Sequence, residues 1–206
     1  MAIVDAVALK AWMGIGDTID DVTVAAAAAA ADRQIKGWCR REFADTVTPT
    51  ARWFEAVSPE LVIVDDFHTD AGLVVATDDD GDGAAETVWA ATDFQAEPAN
   101  RTSDGITWPF TSIRALSGRF PRGRRRTQVS VTARWGFAVD VPDDVTLAGR
   151  IQGSRLLRRK DTPDGIAGTG EFGVVRVAGR PDPDVVQLLA RYRRAAVAGG
   201  AVLVGG

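Results

Sequence analysis

The sequence predicts an α+β protein: a helical bundle, made by two helices near the start of the chain and two near its end, with an inserted antiparallel β-sheet or small sandwich. Three observations predict this. Apolar residues recur at three- and four-residue spacing before residue 48 and again from 140 to 198. Residues 49–139 instead hold short runs rich in β-branched and aromatic side chains. Asp, Gly, Pro and Asn separate those runs. The chain therefore divides into a helical body (1–48 and 140–198), a β region (49–139) and a flexible C-terminal tail (199–206).

Asp5 is placed to cap a short helix in which Leu9, Trp12 and Met13 share a face, and Gly14 stops it. Thr18-Ile-Asp-Asp21 has the form of a capping box for a second helix running to about Phe43, with Val24, Ala28, Ala31, Ile35 and Trp38 on its apolar face. Alanine combines high helix propensity with little bulk, so this face can approach a neighbour closely, in the same subunit or another. Past Pro49, strands are expected at Arg52 to Val57, Leu61 to Val64, Leu73 to Thr77, Thr87 to Ala91 and Gln128 to Phe137. Pro109 and Pro121 make any strand touching them an edge or a broken one. Helix resumes at Val141-Pro142, where Pro142 suits the first turn and Asp143 and Asp144 suit the positive helix end. It closes near Lys160 on Arg155, Arg158 and Arg159. A last helix starts near Pro183 with Val186, Leu189 and Tyr192 on one face.

With 206 residues and 46 % hydrophobic content the chain can bury a core of its own. The tract Val22 to Ala31 is too short and too weakly apolar to span a bilayer, and no leader pattern opens the chain, so a soluble cytoplasmic protein without a membrane partner is expected. The single cysteine, Cys39, excludes an internal disulfide and a cysteine-rich zinc site. The formal net charge of −4 hides an asymmetry: residues 1–100 hold 6 Lys/Arg against 19 Asp/Glu, and residues 101–206 hold 18 against 9. Either such a dipolar chain pairs head to side with its own copies, or the charges decorate solvated faces.

Catalytic chemistry has little to work with. His68 is the only histidine and follows Asp65-Asp-Phe67 in an expected loop, and Cys39 reads as a small core residue. Gly168-Thr-Gly170-Glu-Phe-Gly173 matches the spacing of a dinucleotide fingerprint but lacks its strand-to-helix context, so Gly165, Gly168, Gly170 and Gly173 read as a mobile loop. Asp78, Asp80, Asp82 and Glu86 have the alternating oxygen pattern of a calcium loop. The twelfth place holds Trp89 where a bidentate glutamate is needed, so a plain turn without metal is expected. The cluster Arg119, Arg122, Arg124, Arg125 and Arg126 is dense enough to meet phosphates or an acidic protein surface.

Taken in order, these residues resemble the head-to-tail adaptor, or connector, family of tailed bacteriophages. The opening from Leu9-Lys10 through Asp20-Asp21, Ala28 to Ala31 and Ile35 to Phe43 is similar to that family's short helix, acidic turn and alanine-rich helix closing on Arg-x-Phe. Trp135-Gly136-Phe137 followed by Val141-Pro142-Asp-Asp-Val145 is similar to its return from strand to helix. Lys160-Asp-Thr-Pro-Asp-Gly165, Gly173-Val-Val-Arg176 and Asp184-Val-Val-x-Leu188-Leu-x-x-Tyr192-Arg-Arg194 resemble the C-terminal signature of adaptors from phages of actinobacteria.

The resemblance implies a structural virion protein with no catalytic site and no cofactor. It implies a ring of about twelve subunits on the portal protein, meeting a tail-side stopper or tail terminator, with genomic DNA passing through the channel unread. Ala28, Ala31, Arg119, Arg122, Arg124, Arg125, Arg126, Arg191, Arg193 and Arg194 are the expected subunit or partner contacts. The other classes to weigh are a calcium- or carbohydrate-binding β module on a helical support, and a DNA-binding regulator using the arginine cluster.

Overall fold

The computed structural model describes residues 2–122, 128–161, 166–167, 175–176, 182–194, 196–198 and 201–203. The fold is α+β, with four α-helices and antiparallel sheets among these residues. It divides into a helical unit, Met1–Arg40 with Val141–Arg194, and a β unit, Arg41–Asp140 with Ala195–Gly206.

In the helical unit, α1 (Ala6–Met13) is capped by the Asp5 carboxylate, which accepts the Ala8 N–H, and is stopped by Gly14 at φ 70°. Helix α2 (Asp21–Cys39) begins after Asp20 without a side-chain cap, so the box expected at Thr18 does not form. Its last residue is Cys39, four residues sooner than the reading to Phe43, and Arg40 follows in the left-handed region. Helix α3 spans Asp143–Arg158, followed by a tight turn over Arg159–Asp161, and α4 spans Pro183–Leu189 after an Asp182 cap, followed by a turn over Ala190–Tyr192.

The alanine face of α2 packs inside this unit. Ala27, Ala28 and Ala31 are buried with Val4, Leu9, Val24 and Leu157. Two glycines of α3 complete the close fit: a Cβ on Gly149 would lie 3.0 Å from Ile3, and one on Gly153 would lie 3.1 Å from Leu9. The glycines of α3 thus make room for Ile3 and Leu9, in the cluster into which α2 packs its alanines.

The β unit contains two four-stranded antiparallel sheets. One orders β1 (Thr50–Phe54), β10 (Val129–Ala133), β4 (Val74–Thr77) and β5 (Thr87–Val88) as β1-β10-β4-β5. The other orders β2 (Ala56–Ser58), β3 (Leu61–Phe67), β9 (Phe110–Ala115) and β6 (Phe94–Glu97) as β2-β3-β9-β6. Strand β10 alternates as the pattern predicts, burying Val129, Val131 and Ala133. Both sheets contribute to one core that holds Val62, Phe67, Ile113, Val131 and Trp135.

Strands β7 (Thr102–Ser103) and β8 (Ile106–Thr107) form a small hairpin. The pairs β11 (Ile166–Ala167) with β12 (Val175–Arg176), and β13 (Ala196–Ala198) with β14 (Ala201–Leu203), are antiparallel as well. No helix among the described residues is long and apolar enough to cross a membrane.

Candidate functional site

In the helical unit, α2, α3 and α4 leave a groove of about 460 Å³ between them. Its apolar surface comes from Ile35, Trp38, Leu156, Val185, Val186 and Leu189, and its polar rim from Gln34, Gln152, Arg155 and Arg159. Arg193 lies over the Trp38 ring at 5.1 Å. Arg159 has no carboxylate partner among the described residues. At the other end of α2, the preceding turn and the first turn of the helix each expose a large aliphatic side chain, Ile19 at 88 % and Val22 at 86 %. Asp17, Asp20 and Asp21 surround them. Lys10 pairs with Asp21 and Lys160 with Asp20, whereas the Asp17 carboxylate accepts the Ile19 N–H and its backbone carbonyl accepts from the Lys10 ammonium.

Sequence reasoning missed both features. The signal in the chain was an isoleucine and a valine set among three aspartates, apolar residues where a solvated turn has no use for them.

The expected contact residues fall in several places. Ala28 and Ala31 are buried within this unit, so they are not on offer to another subunit, and their small size serves the bundle itself. Arg191 pairs with Asp144 in the first turn of α3, Arg193 covers Trp38, and the Arg194 N–H donates to the Cys39 carbonyl at 2.9 Å. This arginine run therefore docks the end of α4 onto its own unit. Arg119 and Arg122 are exposed, on either side of buried Phe120 and half-buried Pro121. Arg124, Arg125 and Arg126 lie outside the described residues, as do Gly165, Gly168, Gly170 and Gly173. The strand β12 follows that glycine stretch where a dinucleotide site needs a helix.

In the β unit, the side-chain oxygens of Asp78, Asp80, Asp82 and Glu86 converge to within 4.8 Å of one another. Asp78 is fully buried, and its two carboxylate oxygens accept the Gly81 and Gly83 N–H groups at 2.6 and 2.8 Å. Asp80 accepts from Asp82 N–H, Asp82 from Ala84 N–H and Glu86 from Asp79 N–H. These four are the residues that could hold a hard cation. Trp89 turns the other way: its ring stacks on Phe120 at 4.7 Å and its indole N–H donates to Thr77.

His68 is mostly buried beside Asp45, which also pairs with Arg134. Burial is the main cause holding the His68 pKa below its ordinary 6.5; Asp45 opposes the shift, while Arg134 and Arg101 add to it. A short step away, Arg41 donates to Asp66 at 2.7 Å in a nearly dry pair, and Phe43 meets Phe137 at 5.7 Å. The Arg-x-Phe and Trp-Gly-Phe segments thus clamp one another. The Phe137 N–H donates to the Glu42 carbonyl, and Gly136, at φ 134°, leaves room that a Cβ would lose by coming 2.3 Å from the Ala44 carbonyl oxygen.

No family model and no curated protein matches this chain. Among solved structures, it is similar to a chain in the neck of an empty GTA particle computed with C6 symmetry, with TM-score 0.59 and 16 % identity over 96 % of this chain and 92 % of that one. It is similar to a chain in the neck of a native GTA particle computed with C12 symmetry, with TM-score 0.54 and 17 % identity over 94 % and 93 %. It is also similar to a chain of the virion of a native gene transfer agent (GTA) particle, with TM-score 0.58 and 17 % identity over 96 % and 92 %. At these identities what is shared is the fold, and it is shared over nearly the whole of each chain.

Proposed function

We propose that this chain is a structural protein in the neck of a tailed-phage-like particle, a head-to-tail adaptor that forms a ring beneath the portal and extends the DNA channel toward the tail. The observation that carries this reading is the overlap in fold with a gene transfer agent neck chain over 96 % of this chain at TM-score 0.59. The C6 and C12 symmetry of those necks supports a ring, the closed form that a repeated head-to-tail contact produces. The order of the adaptor-like segments along the sequence agrees with it.

Under this reading the partners are further copies of the chain, the portal protein and a tail-side stopper or terminator. Genomic DNA passes through without sequence recognition, and the protein is no enzyme. Its one histidine sits among Asp45, Arg101 and Arg134, groups suited to holding a fold together. Mixing the purified full-length chain with tailless, portal-bearing heads and imaging them by electron microscopy tests the proposal. A ring of fixed copy number at the portal vertex is expected. Heads that remain bare at saturating protein overturn it.

A further inference from the structure

The exposed turn and the groove of the helical unit have complementary chemistry. The turn presents two aliphatic side chains, Ile19 and Val22, with the Asp17 carboxylate beside them. The groove presents an apolar floor and the Arg159 guanidinium at its rim. Trp38, one of the residues lining the groove, stands about 24 Å along α2 from Val22 at 1.5 Å per residue. One helix therefore carries a knob at its start and a hole toward its end, an arrangement that suits successive copies joined head to tail.

We propose that the Ile19–Val22 turn of one subunit seats in the α2–α3–α4 groove of the next, its aliphatic side chains against Trp38, Leu156 and Val186 and its Asp17 against Arg159. The inference deepens the adaptor reading and rests on the ring proposed above. Each contact covers apolar surface that a single copy leaves in water, and brings together two charges that have no oppositely charged partner among the described residues of that copy. The contact is heterologous: it uses a different surface on each partner, so every subunit in a closed ring has both its knob and its hole filled.

The test uses the full-length chain with Cys39→Ala, which removes the one natural thiol. Val22→Cys and Val186→Cys are introduced in separate preparations, assembled on portal-bearing heads singly and as an equal mixture, and oxidised. The mixture is expected to yield a disulfide-linked dimer and neither preparation alone to do so. In the same assay Ile19→Asp with Val22→Asp is expected to raise the protein concentration needed for ring assembly by roughly a hundredfold. Its melting temperature should be unchanged, because both side chains are exposed and acidic residues suit the start of a helix. Complete rings that stay uncross-linked, or that assemble normally from the double aspartate variant, overturn this contact and leave the adaptor reading standing. Absence of any ring, with the parent chain as with the variants, overturns both.

Discussion

Two buried charged sites in the β unit are held by single side chains, and each has a measurable signature. Arg41 and Asp66 are 10 % and 4 % exposed in their side chains, so removing one partner strands the other charge in a region with little water. Asp66→Ala removes this ion pair while Arg41 keeps its place over the Phe137 ring, and is expected to cost about 3 kcal/mol in a urea titration. A loss below about 1 kcal/mol would mean that solvent reaches the guanidinium. His68 supplies a pH effect whose sign follows from burial. Its folded-state pKa is held below 6.5, so the neutral form is favoured in the fold. Its contribution is fully present above 6.5 and is lost as pH falls through the lowered folded value. His68→Gln should flatten the stability profile as pH falls below 6.5, and an unchanged slope would assign that loss to other groups. His68 does stand in a bend after β3, as expected from its place behind Asp65-Asp-Phe67. The strand itself runs on past Val64 through both aspartates, since Asp65 pairs with Arg52 and Asp66 with Arg41, and those distant partners leave no trace in the local pattern.

At the level of elements, legibility followed how local the cause was. The start and end of α1 were readable because Asp5 and Gly14 act on their immediate neighbours. The start of α2 was misread because the carboxylates that suggested a capping box are drawn to Lys10 and to Lys160, 140 residues from its partner. The run Arg52 to Val57 looked like one strand, yet it divides at Glu55 into β1 of one sheet and β2 of the other. Strands β6 and β9 were missed: Pro98 follows the first and Pro109 precedes the second, and pairing with each other and with β3 makes them strands. Of the candidate site, the acidic turn was legible as a feature, and the groove was not, because it exists only once three helices meet.

Two predictions belong to this scale. Ala31→Leu pushes three extra carbons into the fully buried contact among α1, α2 and α3 and should destabilise the chain by about 1–3 kcal/mol. Ala29→Leu, on the exposed side of the same helix, should stay within about 0.5 kcal/mol. The Asp78 to Glu86 turn already has backbone N–H donors on its carboxylates, and the twelfth position faces Phe120 through Trp89. Millimolar calcium should therefore shift the melting temperature by less than about 1 °C, and a rise of several degrees would identify the turn as a metal site.

For the whole molecule, folding redistributes the charge that the sequence displays. Because the helical unit draws residues from both halves of the chain, it holds 14 Lys/Arg against 12 Asp/Glu, and the β unit holds 10 against 16. The halves of the sequence differ far more than the two folded units, whose net charges are +2 and −6. Long-range steering between copies is correspondingly weaker than the linear pattern suggests, so specificity must come from short-range contacts and from local clusters of one sign. The densest such cluster runs through Arg119, Arg122, Arg124, Arg125 and Arg126, in the unit whose remaining charge is acidic. Changing Arg124, Arg125 and Arg126 to glutamate takes that unit from −6 to −12 and removes a set of donors that can pair bidentately with carboxylates. Exposed ion pairs are individually worth roughly 0–1 kcal/mol, so the fold should survive and the melting temperature should change little. Attachment is another matter, because a ring repeats the same change at every position and the losses accumulate around it. The triple variant should melt normally yet fail to attach to portal-bearing heads. Heads that acquire a complete ring of this variant would show that the cluster is a solvated surface with no part in assembly.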